Sequence, residues 1–534
     1  MKVLKNKTKD LAAIFQKYFD LIGYMLLLLL FVYIHIQIWN NLEASIESDM
    51  STELVLSKML ANENRIMTTN WFYATELKVL HNTLLFSFLF HLTDNWHIVR
   101  IVSIVILNIV LFFSYFYLAR KLKIKHIPWI AFMIIGSTSR EYYKFVTLGS
   151  HYIPDLAISF VTLGLLISIA EDEKKVRRTF KILGLLLLSF VASLSGTRFL
   201  AVLHLPLFVA SVLFYAIREF DDLKSGKINL NSKYVSLIIL CFVMLITSYL
   251  GVYMNSNVFP ALGYTYKLDG TDIHYIDFGF DAVSRIINGW LTVAGYQYEN
   301  LSVFSIDQII IKPLFALFFV ISLWSAVDLV VNNRKYNDKE TFTEIFYLIG
   351  ILLLSGLYIF TSMWYRNRYL LSISVFSVFI IGIFVSHYRI RWQKNLFILV
   401  IVLFTSINSA FQIQYHVKND SYIELATVRD ILLENSCYNG YCRDHWNGNN
   451  ILTELSDGKI ETWYGTPTIG NGYQQAKYHL EENPKDKVFA LLLKNELEEV
   501  RFKTDYSKYL YYEDDDRVLF IFNSYDEMND VMDW

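Results

Sequence analysis

Two carboxylates, Asp49 and Glu53, stand four residues apart in the segment NNLEASIESDMSTELVLSKML. On a helix that spacing puts both on one face. A carboxylate held in place can take the proton of a hydroxyl while that hydroxyl's oxygen attacks an electrophilic carbon. The same spacing also suits the wet face of a surface helix whose apolar side, Met50, Leu54, Met59 and Leu60, lies on a bilayer. Glu47 is a weaker third acid, and an aromatic segment, Trp71-Phe72-Tyr73, follows.

Further residues of chemical interest recur between apolar runs. The stretch 139–155 carries Glu141, His151, Tyr152 and Asp155. Asp155 follows Pro154 at the mouth of an apolar run; it is either a site residue or an acid favoured by a helix N-terminus. Arg198 in SGTRFL, and Arg366 and Arg368 in WYRNRYLL, are guanidinium groups at the edges of apolar runs. Such groups bind phosphate oxygens in pairs, or else snorkel to lipid headgroups. His274 stands among Tyr264, Tyr266, Tyr275, Asp277 and Asp281, a set that suits carbohydrate contact or any surface loop. The run His445 to Asn450, with Trp446 inside it, is either sugar-binding or a capped turn, and Glu513 to Asp516 is best taken as a solvated turn. No metal ligand set is assigned.

The elements that must position these groups are mostly membrane spans. Hydrophobic residues make up 54% of the chain and charged residues only 18%, which excludes an ordinary soluble enzyme. Apolar runs near 20–39, 98–119, 127–138, 154–170, 182–196, 199–217, 235–255, 308–331, 345–363, 369–388 and 395–413 predict about eleven spans. Every second loop is basic, beginning with Lys2, Lys5, Lys7 and Lys9 and ending with Arg389, Arg391 and Lys394. The positive-inside rule then puts the N-terminus in the cytoplasm and the C-terminus outside, in a multi-pass protein of the plasma membrane. Three large pieces face outward: 40–97, 256–307 and 414–534. The expected division is a transmembrane module, 1–413, and an extracytoplasmic domain, 414–534.

The tail has the composition of a small α/β domain of about 120 residues. TVRDILLENS predicts a helix, and KVFALLL a buried strand. NNILTELSDGKIETWY predicts helix or strand, a turn at Asp457-Gly458, then a strand. NGYQQAKYHLEEN predicts a helix, and SKYLYYEDDDRVLFIF a hairpin. Cys437 and Cys442 flank Tyr-Asn-Gly-Tyr; an Asn-Gly hairpin turn would bring them together as a disulfide, the alternative being two ordinary thiols.

The net charge of −2 and the lack of a basic patch with interleaved aromatics give no sign of a nucleic-acid partner. There is no P-loop, no Rossmann fingerprint and no cytoplasmic domain to use a nucleotide sugar. Ion-coupled transporters bury charges at mid-membrane, and the clearer spans have none there.

With its inner N-terminus, a long first outer loop opening on SDMSTE, many spans and an outer tail containing TELSDGKIETW, the chain resembles the GT-C superfamily of polytopic glycosyltransferases. The resemblance implies interfacial helices in the first outer loop. It also implies inverting transfer of a sugar from a polyprenyl-phosphate donor, in contact with membrane lipid, to a cell-surface glycan, teichoic acid or lipid-linked acceptor. Asp49 would be the base, with Glu53 beside it, and Arg198, Arg366 and Arg368 would hold the donor phosphate. Glu141, Tyr152, Asp155 and His274 would contact substrate. Relatives often carry adjacent acids where this chain separates them by three residues, so the choice between Asp49 and Glu53 stays open. Members differ in metal dependence, and a divalent metal is left open. The other readings are a polysaccharide polymerase or ligase, and a flippase for lipid-linked sugars.

Overall fold

A computed structural model describes the chain apart from residues 1, 75–76, 228, 230–231, 267–273, 277–278, 296–311, 333–335, 364, 388–389, 420–422, 446–447, 467–472 and 534, and without the side chains of 2–17, 312–318, 329–330 and 391. The calls on Asp277 and Trp446 lie outside the described residues. By its own contacts the backbone falls into two compact units. One comprises 1–37, 106–252 and 270–413; the other comprises 38–105, 253–269 and 414–534.

The first unit is helical. Among the described residues of the whole chain, eight helices are long and apolar enough to cross a membrane, and the protein is a multi-pass membrane protein. The eight cover the predicted runs except three. At 127–138 the chain forms two single-turn helices, Ile127–Ile130 and Phe132–Ile135, broken at Ala131 and ended by Gly136 in an extended conformation. The run 182–196 belongs to the helix Lys175–Ser193, whose first turns carry Lys175, Arg177, Arg178 and Lys181. The run 308–331 forms the helix Lys312–Val331, of which Phe319–Asp328 is a shorter apolar stretch. Helix Asp338–Phe360 packs against both Lys312–Val331 and Leu205–Arg218. It opens on a capping box in which Asn337 accepts from the Glu340 amide and Glu340 accepts from the Asn337 amide, satisfying two end groups at once.

The second unit carries a five-stranded sheet, in the order Glu461–Tyr464, Asn439–Cys442, Val488–Leu493, Arg517–Phe522, Leu510–Glu513. The first three run parallel, and the last two pairings are antiparallel. Val488–Leu493 is almost wholly buried, as a continuous apolar run in a covered strand must be. Its core includes Tyr441, Trp463, Val518, Phe520 and Met528. The helix Ile423–Glu434, the Asp457-Gly458 turn and the 510–522 hairpin form as expected. Two expectations fail. NGYQQAKYHLEEN forms no α-helix: Gln475–Ala476 is a strand and Lys477–Leu480 a single 3-10 turn. The Asn-Gly hairpin is also absent, because Asn439–Cys442 is one strand between two parallel neighbours. Those strand residues alone extend about 10 Å, beyond the reach of a disulfide. Cys437 and Cys442 are accordingly free, buried thiols, and burial pushes the Cys437 thiol up to about 12.

Candidate functional site

In the second unit the acidic segment opens the helix Ser48–Glu63. This helix does not have the wet face expected of an interfacial helix. Ser48, Ser51, Thr52, Glu53 and Ser57 are buried along with Met50, Leu54 and Leu60. It packs against the second helix of the first loop, Asn82–Phe90, and against Ile451–Leu455 of the tail. Two of the buried hydroxyls, those of Ser48 and Ser57, find backbone acceptors. Ser57 donates to the Glu53 carbonyl at 2.5 Å, and Ser48 donates to the His445 carbonyl at 2.6 Å.

The two carboxylates therefore have different surroundings. Glu53 is buried, with Lys78 at 3.3 Å and His81 at 3.4 Å from Oε1. Asp49 is half-buried in the first turn. Everything around Asp49 is fixed by distant parts of the chain. Asn450 donates to Thr52 Oγ1 at 2.9 Å. Arg100, fully buried, donates to the Met50 carbonyl at 2.7 Å. It also grips Glu454 with two bonds, Nε to Oε1 at 2.9 Å and Nη2 to Oε2 at 2.8 Å. His445 lies within electrostatic range of Asp49; burial lowers its tendency to protonate, and the Asp49 charge opposes that. The aromatic segment Trp71–Tyr73 is the centre of a three-stranded sheet, between Thr265–Tyr266 and Gln475–Ala476. Arg100 went unnoticed in the sequence reading; the one usable signal was an arginine near the start of an apolar run.

In the first unit, residues from four sequence regions gather around Tyr152. Arg198 donates from Nη1 to Asp155 Oδ2 at 2.7 Å, and its guanidinium lies 4.7 Å from the Tyr152 ring centre. Arg368 sits 4.7 Å from the ring centre of Phe145 and 5.8 Å from that of Tyr369. Tyr358 stacks on Tyr369, with 6.4 Å between centres, and meets Tyr365 edge-on at 5.1 Å. Arg285 covers the Tyr365 ring at 5.6 Å, and Glu141 is within electrostatic range of the Tyr365 hydroxyl. Burial pushes the Tyr152 hydroxyl up to about 12, against the pull of Arg198 and Arg368. Tyr365 is likewise raised to about 12 and donates to Asn367 Oδ1 at 2.8 Å. Both remain protonated donors at neutral pH.

Local chain geometry explains this convergence. Tyr143–Leu148 winds as a π-helix and Ser150 adopts a left-handed conformation, which returns Tyr152 to Phe145: the Tyr152 amide bonds the Phe145 carbonyl at 3.2 Å. A second π-helix, Leu200–His204, follows Arg198. Wide turns of this kind recur at functional sites. Gly289 lies against Tyr365 so closely that a Cβ there would fall 1.6 Å from the hydroxyl oxygen.

Glu141, Tyr152, Asp155, Arg198 and Arg368 are thus brought together. Arg366 is exposed on the same turn. His274 is tied elsewhere: its amide bonds Ser362 Oγ at 3.0 Å and its carbonyl accepts from the Ser362 amide at 2.9 Å. Sequence reasoning missed Arg285, Tyr358, Tyr365 and Tyr369. Among the described residues no group of three His, Cys, Asp or Glu side chains is placed to hold a metal ion.

No protein-family model matches the chain, and neither does any curated protein. Solved structures do. ArnT from Cupriavidus metallidurans bound to undecaprenyl phosphate superimposes with a TM-score of 0.57 at 11% identity, over 92% of this chain and 97% of that one. The chain has the GT-C fold. ArnT in the apo state gives a TM-score of 0.56 at 10% identity, again over 92% and 97%. The apo oligosaccharyltransferase of Archaeoglobus fulgidus gives 0.50 at 12% identity, over 84% of this chain and 65% of that one.

Proposed function

We propose that this protein is a membrane glycosyltransferase that moves a sugar from a polyprenyl-phosphate donor to an acceptor hydroxyl on the outer face of the membrane. The acceptor is a cell-surface glycan, a teichoic acid or a lipid-linked saccharide. The N-terminus is cytoplasmic and the tail extracytoplasmic, as the alternation of basic loops supports. The observation that carries the reading is full-length likeness of fold to a protein whose structure holds undecaprenyl phosphate. The difference between Asp49 and Glu53 supports it further.

In this reading Asp49 is the base. The acceptor oxygen bonds to the anomeric carbon from the side opposite the phosphate, and its proton passes to the Asp49 carboxylate. The bond from that carbon to the phosphate oxygen breaks, and its electron pair leaves with the polyprenyl phosphate. One displacement inverts the anomeric centre. Glu53, buried between Lys78 and His81, fixes the helix rather than taking the proton. Arg198 and Arg368 hold the phosphate, with Arg366 on the same turn. A guanidinium is suited to the charge that grows on the leaving group. Tyr152 and Tyr365, protonated at neutral pH, orient the donor, Asp155 holds Arg198, and Glu141 contacts substrate. His274 serves the fold through Ser362.

The test is turnover by the purified protein of a panel of synthetic polyprenyl-phosphate sugars with candidate acceptors, alongside Asp49→Asn. Donor consumption in the parent, lost in a folded Asp49→Asn, supports the reading. If no donor is consumed, or the variant is as active as the parent, the catalytic assignment fails and the polymerase and flippase readings move ahead.

A further inference from the structure

The first unit contains a cavity of about 630 Å³ lined by none of the residues discussed above as site residues. Four spanning helices wall it: Ile153–Ala170, Leu200–Arg218, Lys233–Ala261 and Asp338–Phe360. Two contribute their C-terminal ends and two their N-terminal ends, so the cavity lies where these helices leave the membrane on one side. Its walls are apolar, with Leu166, Phe214, Leu237, Leu240 and Phe342 among them. Phe214 meets Tyr234 edge-on at 5.2 Å and Phe342 at 5.6 Å.

Charge is confined to the rim. Arg178, Lys233 and Lys339 line it against Glu171 and Asp338. Lys233 bonds Asp338 at 2.6 Å, Lys339 pairs with Glu171, and Arg178 is exposed. Arg218 adds a fourth cation, 3.1 Å from Asp338. Among the described lining residues three cations face two carboxylates, with Arg218 beside Asp338. Both carboxylates are already shared, so the rim keeps a net positive charge in a place where lipid headgroups lie. Basic pockets between spans on the cytoplasmic side take anionic headgroups, and an apolar wall below them suits an acyl chain.

We infer that this cavity binds an anionic phospholipid, with its phosphate at Arg178, Lys233, Arg218 and Lys339 and acyl chain along Leu166, Phe214 and Leu240. The site differs from the proposed donor site in both residues and helix ends, and it does not depend on the proposed reaction. A lipid held there contacts all four helices.

The test is lipid titration of the detergent-purified full-length protein, followed by native mass spectrometry. The probes are dioleoyl phosphatidylglycerol and dioleoyl phosphatidylcholine. Phosphatidylglycerol is expected to bind at least about tenfold tighter, since each rim cation is worth roughly fivefold. The double variant Arg178→Gln, Lys233→Gln removes exposed charges and leaves the core intact; it is expected to weaken phosphatidylglycerol and leave phosphatidylcholine unchanged. Leu240→Trp fills the cavity and is expected to weaken both. Equal affinity for the two lipids, or phosphatidylglycerol binding untouched by either variant, overturns the inference. So does displacement by inorganic phosphate at matched concentration, which would mark a soluble-anion site. Tighter binding of undecaprenyl phosphate than of phosphatidylglycerol overturns it in favour of the lipid carrier.

Discussion

Glu454→Ala removes the carboxylate that holds Arg100 and leaves a guanidinium buried. Arg100 has no exposed surface, and its Nη1 has no partner among the described residues, so Glu454 is its neutralising group. Breaking one side of a buried pair costs about 3–5 kcal/mol. For a unit of roughly 200 residues each kcal/mol moves the melting temperature by about 2–4 °C, which places the expected fall near 10 °C. Replacing both partners by apolar residues of similar volume, Arg100→Met with Glu454→Leu, removes the stranded charge. That double variant still loses the bond to the Met50 carbonyl, worth about 1–3 kcal/mol. It should therefore melt below the parent and above both single variants. The assay is thermal unfolding of the detergent-purified protein, with hydrogen exchange of the Ser48–Thr52 amides as a local probe. Exchange there should accelerate in Glu454→Ala, because the same arginine holds the turn that carries Asp49. A single variant within about 2 °C of the parent, or a double variant at the sum of the two singles, would refute the reasoning.

Four further outcomes are expected. Glu53→Gln should lower the melting temperature, because Lys78 and His81 lose their charged partner, and should retain transfer activity, whereas Asp49→Asn should keep the fold and lose about 10²-fold or more in turnover. Arg198→Ala should raise the donor KM about tenfold or more, and Arg198→Lys should restore little of it, since a lysine cannot give the same planar contact to Asp155 and the Tyr152 ring; donor titration checks both. Gly289→Ala should leave stability nearly unchanged while weakening donor binding, because the new methyl displaces the Tyr365 side chain, a flexible neighbour. Burial holds His445 below the usual histidine range, so the folded ring resists a proton that the unfolded chain accepts. Its contribution to stability is intact above about pH 6.5 and falls as the pH drops below that value. Thermal scans between pH 5 and 8 should show this slope in the parent and a shallower one in His445→Gln.

Much of the scaffold was legible from local pattern. A run of about 20 apolar residues has few fates other than a span, and eight of the predicted runs are long apolar helices. Val488–Leu493 and the 510–522 hairpin were visible for the same reason: alternation, length and turn residues act over a few positions. The acidic helix at Asp49 was legible as a helix. Its environment was not, since the same acids and serines that suit a wet surface are dry once the tail packs on them. The Asn-Gly signal for a hairpin was overridden because the strands at 461–464 and 488–493 offered parallel partners on both sides.

By itself the sequence determined that this chain lives in a membrane and which polar residues stand at the edges of its spans. Those properties follow from transfer free energies and short-range periodicity, which are local. Only the tertiary structure decided that Glu53 is clamped while Asp49 keeps partial exposure, that Arg100 meets Glu454 across 354 positions, and that Arg198 and Arg368 share the surroundings of Tyr152. Those outcomes rest on contacts between residues from 25 to 354 positions apart. The free energy of such contacts depends on burial and on bond geometry, and neither is defined until the chain has folded.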